Sequence, residues 1–213
     1  MAGIYLIEKG GNLVELVECP YDSESYLQDL LARYPSLLAG DQMDSTEPRR
    51  WILVAREMAL PSEEDGSNRW SVDHLFVDQD GIPTIVEVKR STDTRIRREV
   101  IGQMLDYAAN GVRYWPVEIL RARLEASCAA QNPPQDPTKA LTQALGNSGG
   151  DNEDGIAAFW LKVKTNLQAG RIRMVFVADE IPIELARVVE FLNAEMDPAE
   201  VLARGQAVRK RCS

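Results

Sequence analysis

Two acids and a lysine are the side chains of this sequence whose types and spacing best suit chemistry. The segment Ser71-Val-Asp-His-Leu-Phe-Val-Asp-Gln-Asp-Gly-Ile-Pro-Thr-Ile-Val-Glu-Val-Lys89 reads as a β-hairpin. Gln79-Asp80-Gly81 suits a three-residue loop whose last position is left-handed, a conformation glycine adopts without penalty. Asp78 then faces Ile82, Leu75 faces Ile85, and Asp73 faces Glu87, so the two acids share one face. Directly opposed Cβ atoms lie roughly 5 Å apart, and like charges so placed are destabilising unless something offsets them. A divalent cation would offset them. Lys89 follows Glu87 by two residues on the same face, where it would pair with the carboxylates or hold a water and a phosphate oxygen beside the cation. Together these groups suit metal-dependent hydrolysis of a phosphodiester. A two-residue turn would slip the register by one and separate the acids.

The competing reading is a half-exposed hairpin in which Glu87 and Lys89 form an ordinary surface pair and Asp73 is solvated. E-x-K alone is too common to decide between them. The surroundings favour chemistry, because Leu75, Val77 and Ile85 share the face of the two acids, and burying unpaired charge is costly. Val72, Phe76, Val86 and Val88 are expected on the opposite face. His74, the single histidine, is turned there as well and reads as a packed structural residue. The four tryptophans read as core or interface, with Trp70 near enough to the acids for either role.

The elements that must hold this hairpin follow from periodicity and turn residues. Residues 3 to 8 and 12 to 18 read as a small hairpin around Gly10-Gly11-Asn12, and Pro20 to Ser23 introduces a helix from Glu24 to Leu31 or Tyr34. Leu27, Leu30, Leu31 and Tyr34 form its apolar stripe, and Glu24 falls on the same side. Trp51 to Ala59 reads as a strand. A helix is expected from Thr94 to Asn110, with Ile96, Val100, Gln103 and Tyr107 on one stripe and Asn110-Gly111 as its stop. Tyr114 to Cys128 reads as a helix begun near Pro116, and 131 to 155 as a loop with a short helix near 139 to 145. A helix from Ile156 to Gln168 precedes the apolar run of Arg171 to Ala178, which suits a strand covered on both faces. Pro182 to Ala194 and Pro198 to Ala203 read as closing helices, with a frayed basic tail from Arg204 to Ser213.

Composition narrows the class. The chain has 213 residues, 45% of them hydrophobic and 27% charged, enough for one core. No apolar stretch reaches the length of a membrane span, and the first residues do not resemble a signal peptide, so a cytoplasmic location without membrane contact is expected. Cys19, Cys128 and Cys212 include no C-x-x-C pair and read as free thiols. A net charge of −9 argues against coating nucleic acid with a generally basic surface. Lys89, Arg90, Arg95, Arg97 and Arg98 nevertheless make a local basic patch beside the acids, suited to gripping phosphate. The alternative is a solvated helix start with scattered arginines.

A helix bearing Glu24, antiparallel strands carrying Asp73 and Glu87-Val88-Lys89, a helix with Gln103-x-x-x-Tyr107 and a later buried strand together resemble the PD-(D/E)XK nuclease superfamily. The Q-x-x-x-Y helix is similar to that of the RecB and Mrr branch, and the stretch up to E-V-K also resembles the archaeal-type mismatch and branched-DNA endonucleases. The match spans Ser23 to Asn110, and Val72 stands where the motif name has Pro. The resemblance implies an α/β fold of one domain over residues 1–213. Its restriction-endonuclease-like core would be a central mixed four-stranded sheet flanked by helices, with an N-terminal hairpin at 1–19 and a helical insertion at 111–170. It further implies Mg²⁺ or Mn²⁺ held by Asp73, Glu87 and the Val88 carbonyl with help from Glu24, Lys89 positioning and activating water, and Gln103 and Tyr107 supporting the site or touching DNA. Cleavage would leave a 5′-phosphate, most readily as an endonuclease, and cutting both strands would call for two sites and hence a homodimer. Two other readings remain: a catalytically silent relative binding nucleic acid or a protein, and an unrelated interaction domain.

Overall fold

The structure, a computed structural model, describes residues 4–19, 21–38, 40–43, 45–60, 70–93, 99–146, 153–206 and 208–211. Strands β1 (Ile4–Ile7) and β2 (Leu13–Cys19) form the expected N-terminal hairpin. Helix α1 (Glu24–Arg33) follows, its first turn closed by Ser23 Oγ accepting the N–H of Tyr26 at 3.1 Å. A 3₁₀ turn (Pro35–Leu38) and the short α2 (Gly40–Met43) lead to β3 (Trp51–Leu60), β4 (Trp70–Asp78) and β5 (Pro83–Val88). Four helices then intervene, α3 (Glu99–Tyr114), α4 (Val117–Ala129), α5 (Pro137–Leu145) and α6 (Glu153–Gln168). The chain ends through β6 (Arg173–Ala178), α7 (Ile183–Glu195), β7 (Glu200–Gly205) and β8 (Val208–Arg211).

The main sheet has five strands in the order β3-β4-β5-β6-β7, antiparallel from β3 to β5 and parallel from β5 to β7. The expected four-stranded sheet therefore gains a strand at Glu200–Gly205, where a helix had been expected over Pro198–Ala203. Ala199-Glu-Val-Leu-Ala203 is good local helix sequence, but β6 is buried along its whole length and its ladder needs a second neighbour. The tail is not frayed throughout either. Residues 208–211 pair with β2, making a separate three-stranded sheet in the order β1-β2-β8.

Side chains divide between the two faces of the main sheet. Phe76, Val86, Val88, Val175 and Val177 meet Leu27 and Leu31 of α1, while Leu75, Val77, Ile85, Met174 and Phe176 meet α3 to α7. Val72 departs from simple alternation and packs with the second group beside Met58, its partner across the ladder. Helix α3 also runs past its expected stop to Tyr114. Gly111 there serves close approach rather than termination, since a Cβ would lie 2.7 Å from the Trp115 ring. Trp51, Trp115 and Trp160 are buried as expected, whereas the Trp70 side chain lies outside the described part. Cys19 and Cys128 are free thiols, and Cys212 lies outside the described residues. No helix of the described residues is long and apolar enough to cross a membrane.

The β4–β5 turn is locked by several bonds. Gly81 has φ 72°, its N–H donates to the Asp78 carbonyl at 2.9 Å, and Asp78 Oδ1 accepts the N–H groups of Asp80 at 3.0 Å and Ile82 at 2.9 Å. From α6, Asn166 Nδ2 donates to the carbonyls of Asp80 at 3.0 Å and Gly81 at 2.9 Å. The other Asp78 oxygen accepts Arg173 NH1 at 2.9 Å, an ion pair with both partners almost wholly buried. Arg173 also bonds Glu200 at 2.6 Å and lies over the Trp51 ring, so one guanidinium ties the hairpin turn to β6 and β7. Removing one partner of such a buried pair leaves an uncompensated charge. Arg173→Met is expected to cost about 3–5 kcal/mol of unfolding free energy, measured as a lower urea midpoint with an unchanged slope.

Candidate functional site

The expected register is present. His74 pairs with Val86, Leu75 with Ile85 and Phe76 with Thr84, which continues to Asp73 opposite Glu87. Both acids thus lie at the end of the sheet where β5 and β6 finish. Glu87 is only 3% exposed. Its Oε1 pairs with Lys89 Nζ at 2.8 Å, while Oε2 is buried without a hydrogen-bond partner. Asp73 Oδ2 accepts the Val88 N–H at 2.8 Å, which holds this carboxylate against the β5 backbone between Glu87 and Lys89.

Glu24 enters from the first turn of α1. Its Oε1 accepts the Arg90 N–H at 3.1 Å, and its Oε2 lies 3.9 Å from Lys89 Nζ. Glu24 therefore reaches the pair through Lys89. Among the described residues no group of three or more His, Cys, Asp or Glu side chains converges as a metal site, so the structure brings together two acids and a lysine, with Glu24 behind the lysine. From α3, Gln103 Nε2 donates to the buried Tyr107 hydroxyl. Arg90 lies two residues beyond the end of β5, while Arg95, Arg97 and Arg98 lie outside the described residues.

Electrostatics here are those of charge removed from water. Burial, and then the charge of Asp73, push the Glu87 carboxyl up to about 7, with Lys89 pulling the other way. Burial works against the Lys89 ammonium, yet Glu87, Asp73 and Glu24 hold it above the ordinary lysine value. Burial also raises the Tyr107 phenol; the bond from Gln103 opposes this, and Glu87 and Asp73 add to it. His74 is separate from the site, as expected. It is fully buried, stacks on Phe76 with centroids 5.6 Å apart, and donates Nε2–H to the Gln28 carbonyl at 2.9 Å. Burial draws its pKa down to about 4, so the ring is neutral.

Two neighbours of the site escaped the sequence reading. Asp179, the residue after β6, accepts the Ser91 N–H at 2.6 Å and so anchors the segment that follows Lys89. An acid at the carboxyl end of a buried parallel strand was the available signal. Glu57 lies in β3 between Arg56, which opposes His74, and Met58, which opposes Val72, so it stands across from Asp73. Its φ of 48° is the one positive value at a non-glycine position among the described residues. Nothing in the residue pattern announced it.

No protein-family model matches the chain, and comparison with curated proteins and with solved structures likewise gives no match.

Because the folded pKa of Glu87 lies above its ordinary value, folding takes up a proton there. Its contribution is fully present below the unfolded pKa and is lost as pH rises from about 4.5 through about 7. Lys89→Met removes the one cation that opposes this rise. In metal-free buffer the variant is expected to lose about 3–5 kcal/mol at pH 8 and clearly less at pH 5, where Glu87 is protonated, as read from urea unfolding at both values.

Proposed function

We propose that this chain is a Mg²⁺- or Mn²⁺-dependent deoxyribonuclease of the PD-(D/E)XK, restriction-endonuclease-like type, acting as a cytoplasmic endonuclease. The observation that carries this reading is the unpartnered, buried Glu87 Oε2 beside Asp73, with Lys89 at 2.8 Å from the other oxygen. A buried carboxylate oxygen without a donor is a costly arrangement unless a ligand completes it. Hard oxygen donors suit Mg²⁺ or Mn²⁺, so the residues fit the group. Asp73, Glu87 and the Val88 carbonyl would hold the cation, with Glu24 contributing from behind Lys89. When bound, it supplies positive charge that acidifies water and stabilises phosphoryl oxygens.

The chain's own groups divide the remaining work. Lys89, kept protonated by its acidic neighbours, orients the attacking water and balances charge on a phosphate oxygen; its raised pKa makes it a poor general base. Glu24 restrains Lys89 and, through Arg90 N–H, the backbone beyond it. Tyr107, held by Gln103, would close the wall beside Glu87, and Arg90 would meet phosphate. Hydrolysis breaks the P–O3′ bond: the water oxygen bonds to phosphorus to leave a 5′-phosphate, and O3′ departs with a proton as a 3′-hydroxyl.

The two-acid count supports a second reading, a catalytically silent protein of the same fold that binds nucleic acid or a protein partner. Calorimetric titration of Mn²⁺ and incubation with mixed DNA substrates separate the two. Wild type is expected to bind Mn²⁺, gaining about 2.7 kcal/mol of stability at a hundredfold excess over Kd, and to cleave DNA. Asp73→Ala with Glu87→Ala should abolish both, and metal-stimulated cleavage that survived the double substitution would reject the assignment. Binding without cleavage by the wild type favours the silent reading.

A further inference from the structure

The edge of the main sheet at β3 is bordered by α1 from one face and by α4 and α5 from the other, and between them runs a cleft in two connected parts. One, of about 510 Å³, lies beside Arg33, Arg49 and Arg50; the other, of about 920 Å³, lies beside Arg33, Arg56 and Arg123. The parts share Ala32, Arg33, Leu53 and Gln131. Five arginines thus line one depression in a chain of net charge −9. Among the described residues no Asp or Glu lines it.

The charges are only partly compensated. Arg56 pairs with Asp29 at 2.6 Å on the rim, and Arg49 pairs with Asp80. Arg50 donates instead to the main-chain carbonyls of Ala144 at 2.7 Å and Leu145 at 2.9 Å, neutral acceptors that leave its charge in place. Arg33 and Arg123 are exposed. Beside them Tyr34, 58% exposed, presents an aromatic ring to the first part, and Gln131 and Gln143 supply amide donors and acceptors. A cationic groove with an exposed aromatic ring is the combination that holds nucleic acid strands by phosphate pairing and base stacking.

We infer that this cleft binds single-stranded nucleic acid and delivers it toward Asp73 and Glu87, an inference that rests on the nuclease reading for its destination. Arg49 to Arg56 spans roughly 23 Å of extended chain, suited to a few nucleotides, near the small end of the about 4 to 16 held by single-strand-binding folds. Its upper end reaches the level of the acids along the sheet, because Arg56 opposes His74, the residue after Asp73, although both Arg56 and His74 are turned to the α1 face. A recess bordered by helices on both faces suits one extended strand better than the convex surface of a duplex. The exposed ring also favours a nucleic acid over an acidic peptide, which has no bases to stack.

The test is fluorescence anisotropy in EDTA with a short labelled oligodeoxythymidylate, competed by a duplex of equal length and by polyglutamate. Wild type is expected to prefer the single strand. Arg33→Ala with Arg123→Ala should weaken binding at least tenfold and flatten the log Kd against log salt slope by about 1.4, since each phosphate contact on a single strand contributes about 0.7. Tyr34→Ala should cost roughly tenfold for the oligonucleotide and nothing for polyglutamate. All three positions are exposed, and unchanged urea midpoints would confirm that the variants fold. Equal affinity for the duplex, indifference to the arginine substitutions, or polyglutamate binding as tight as the oligonucleotide's and unaffected by Tyr34→Ala would overturn the inference, the last pointing to an acidic protein partner. Wild type that binds in this way but never cleaves would reject the nuclease reading alone and leave the cleft standing.

Discussion

The register of the β4–β5 hairpin is the constraint on which the rest depends. Side chains alternate with a period of two, so a slip of one residue would send Asp73 and Glu87 to opposite faces and dissolve the site. Three separate interactions prevent it: the left-handed Gly81, the Asp78 carboxylate bonded to two turn N–H groups, and Asn166 reaching from α6 to two turn carbonyls. The turn lies at the far end of the strands from the acids. Its rigidity is transmitted along the ladder, which makes distant backbone chemistry the determinant of local side-chain apposition.

The two ends of the sheet treat buried charge differently. At the turn end, Arg173 meets the buried Asp78 and the partly exposed Glu200, and the partly exposed Asp80 meets Arg49 and Lys162, so each acid has a cation within bonding distance. At the other end Glu87, Asp73 and Glu24 share one lysine, and Glu87 keeps an oxygen with no partner. The first arrangement is satisfied and serves to fix elements together. The second holds a deficit of positive charge in a place from which water is largely excluded, and that contrast is the physical basis for reading one as structural and the other as a site.

Charge is also distributed along the sheet's edge. β3 is an outer strand, and outer strands must be covered or blunted. Here Ser127 of α4 donates to the carbonyl of Val54, at the bulge between Leu53 and Ala55, and Arg50 fastens the carbonyl end of α5. The same arginine-bearing elements that shield the edge leave a basic recess along it. A strongly acidic overall balance and a local basic cleft are therefore compatible, because the net charge averages over surfaces that the fold keeps apart.

The hairpin, its turn and the apposition of Asp73 with Glu87 were legible in the sequence because each follows from neighbours in the chain: a glycine at the one position that requires positive φ, and alternation on either side that fails only at Val72. The neutral, packed role of His74 was legible for the same reason. Helices α1, α4 and α7 were marked by proline or small polar starts, α1 and α6 by apolar spacing, and α5 only as a short helix near 139 to 145. What the tertiary structure decided was set by partners far along the chain. Residues 200–205 became a strand because β6 needed a neighbour, against their own helical tendency, and α3 passed through Gly111 because Trp115 packs on it. Glu24's reach to Lys89, Asp179's hold on Ser91 and the unpartnered oxygen of Glu87 likewise arise only when α1, β5 and β6 meet. Local conformational preference determined which residues would stand side by side on the hairpin. Long-range packing and the exclusion of water determined which of their charges would be answered.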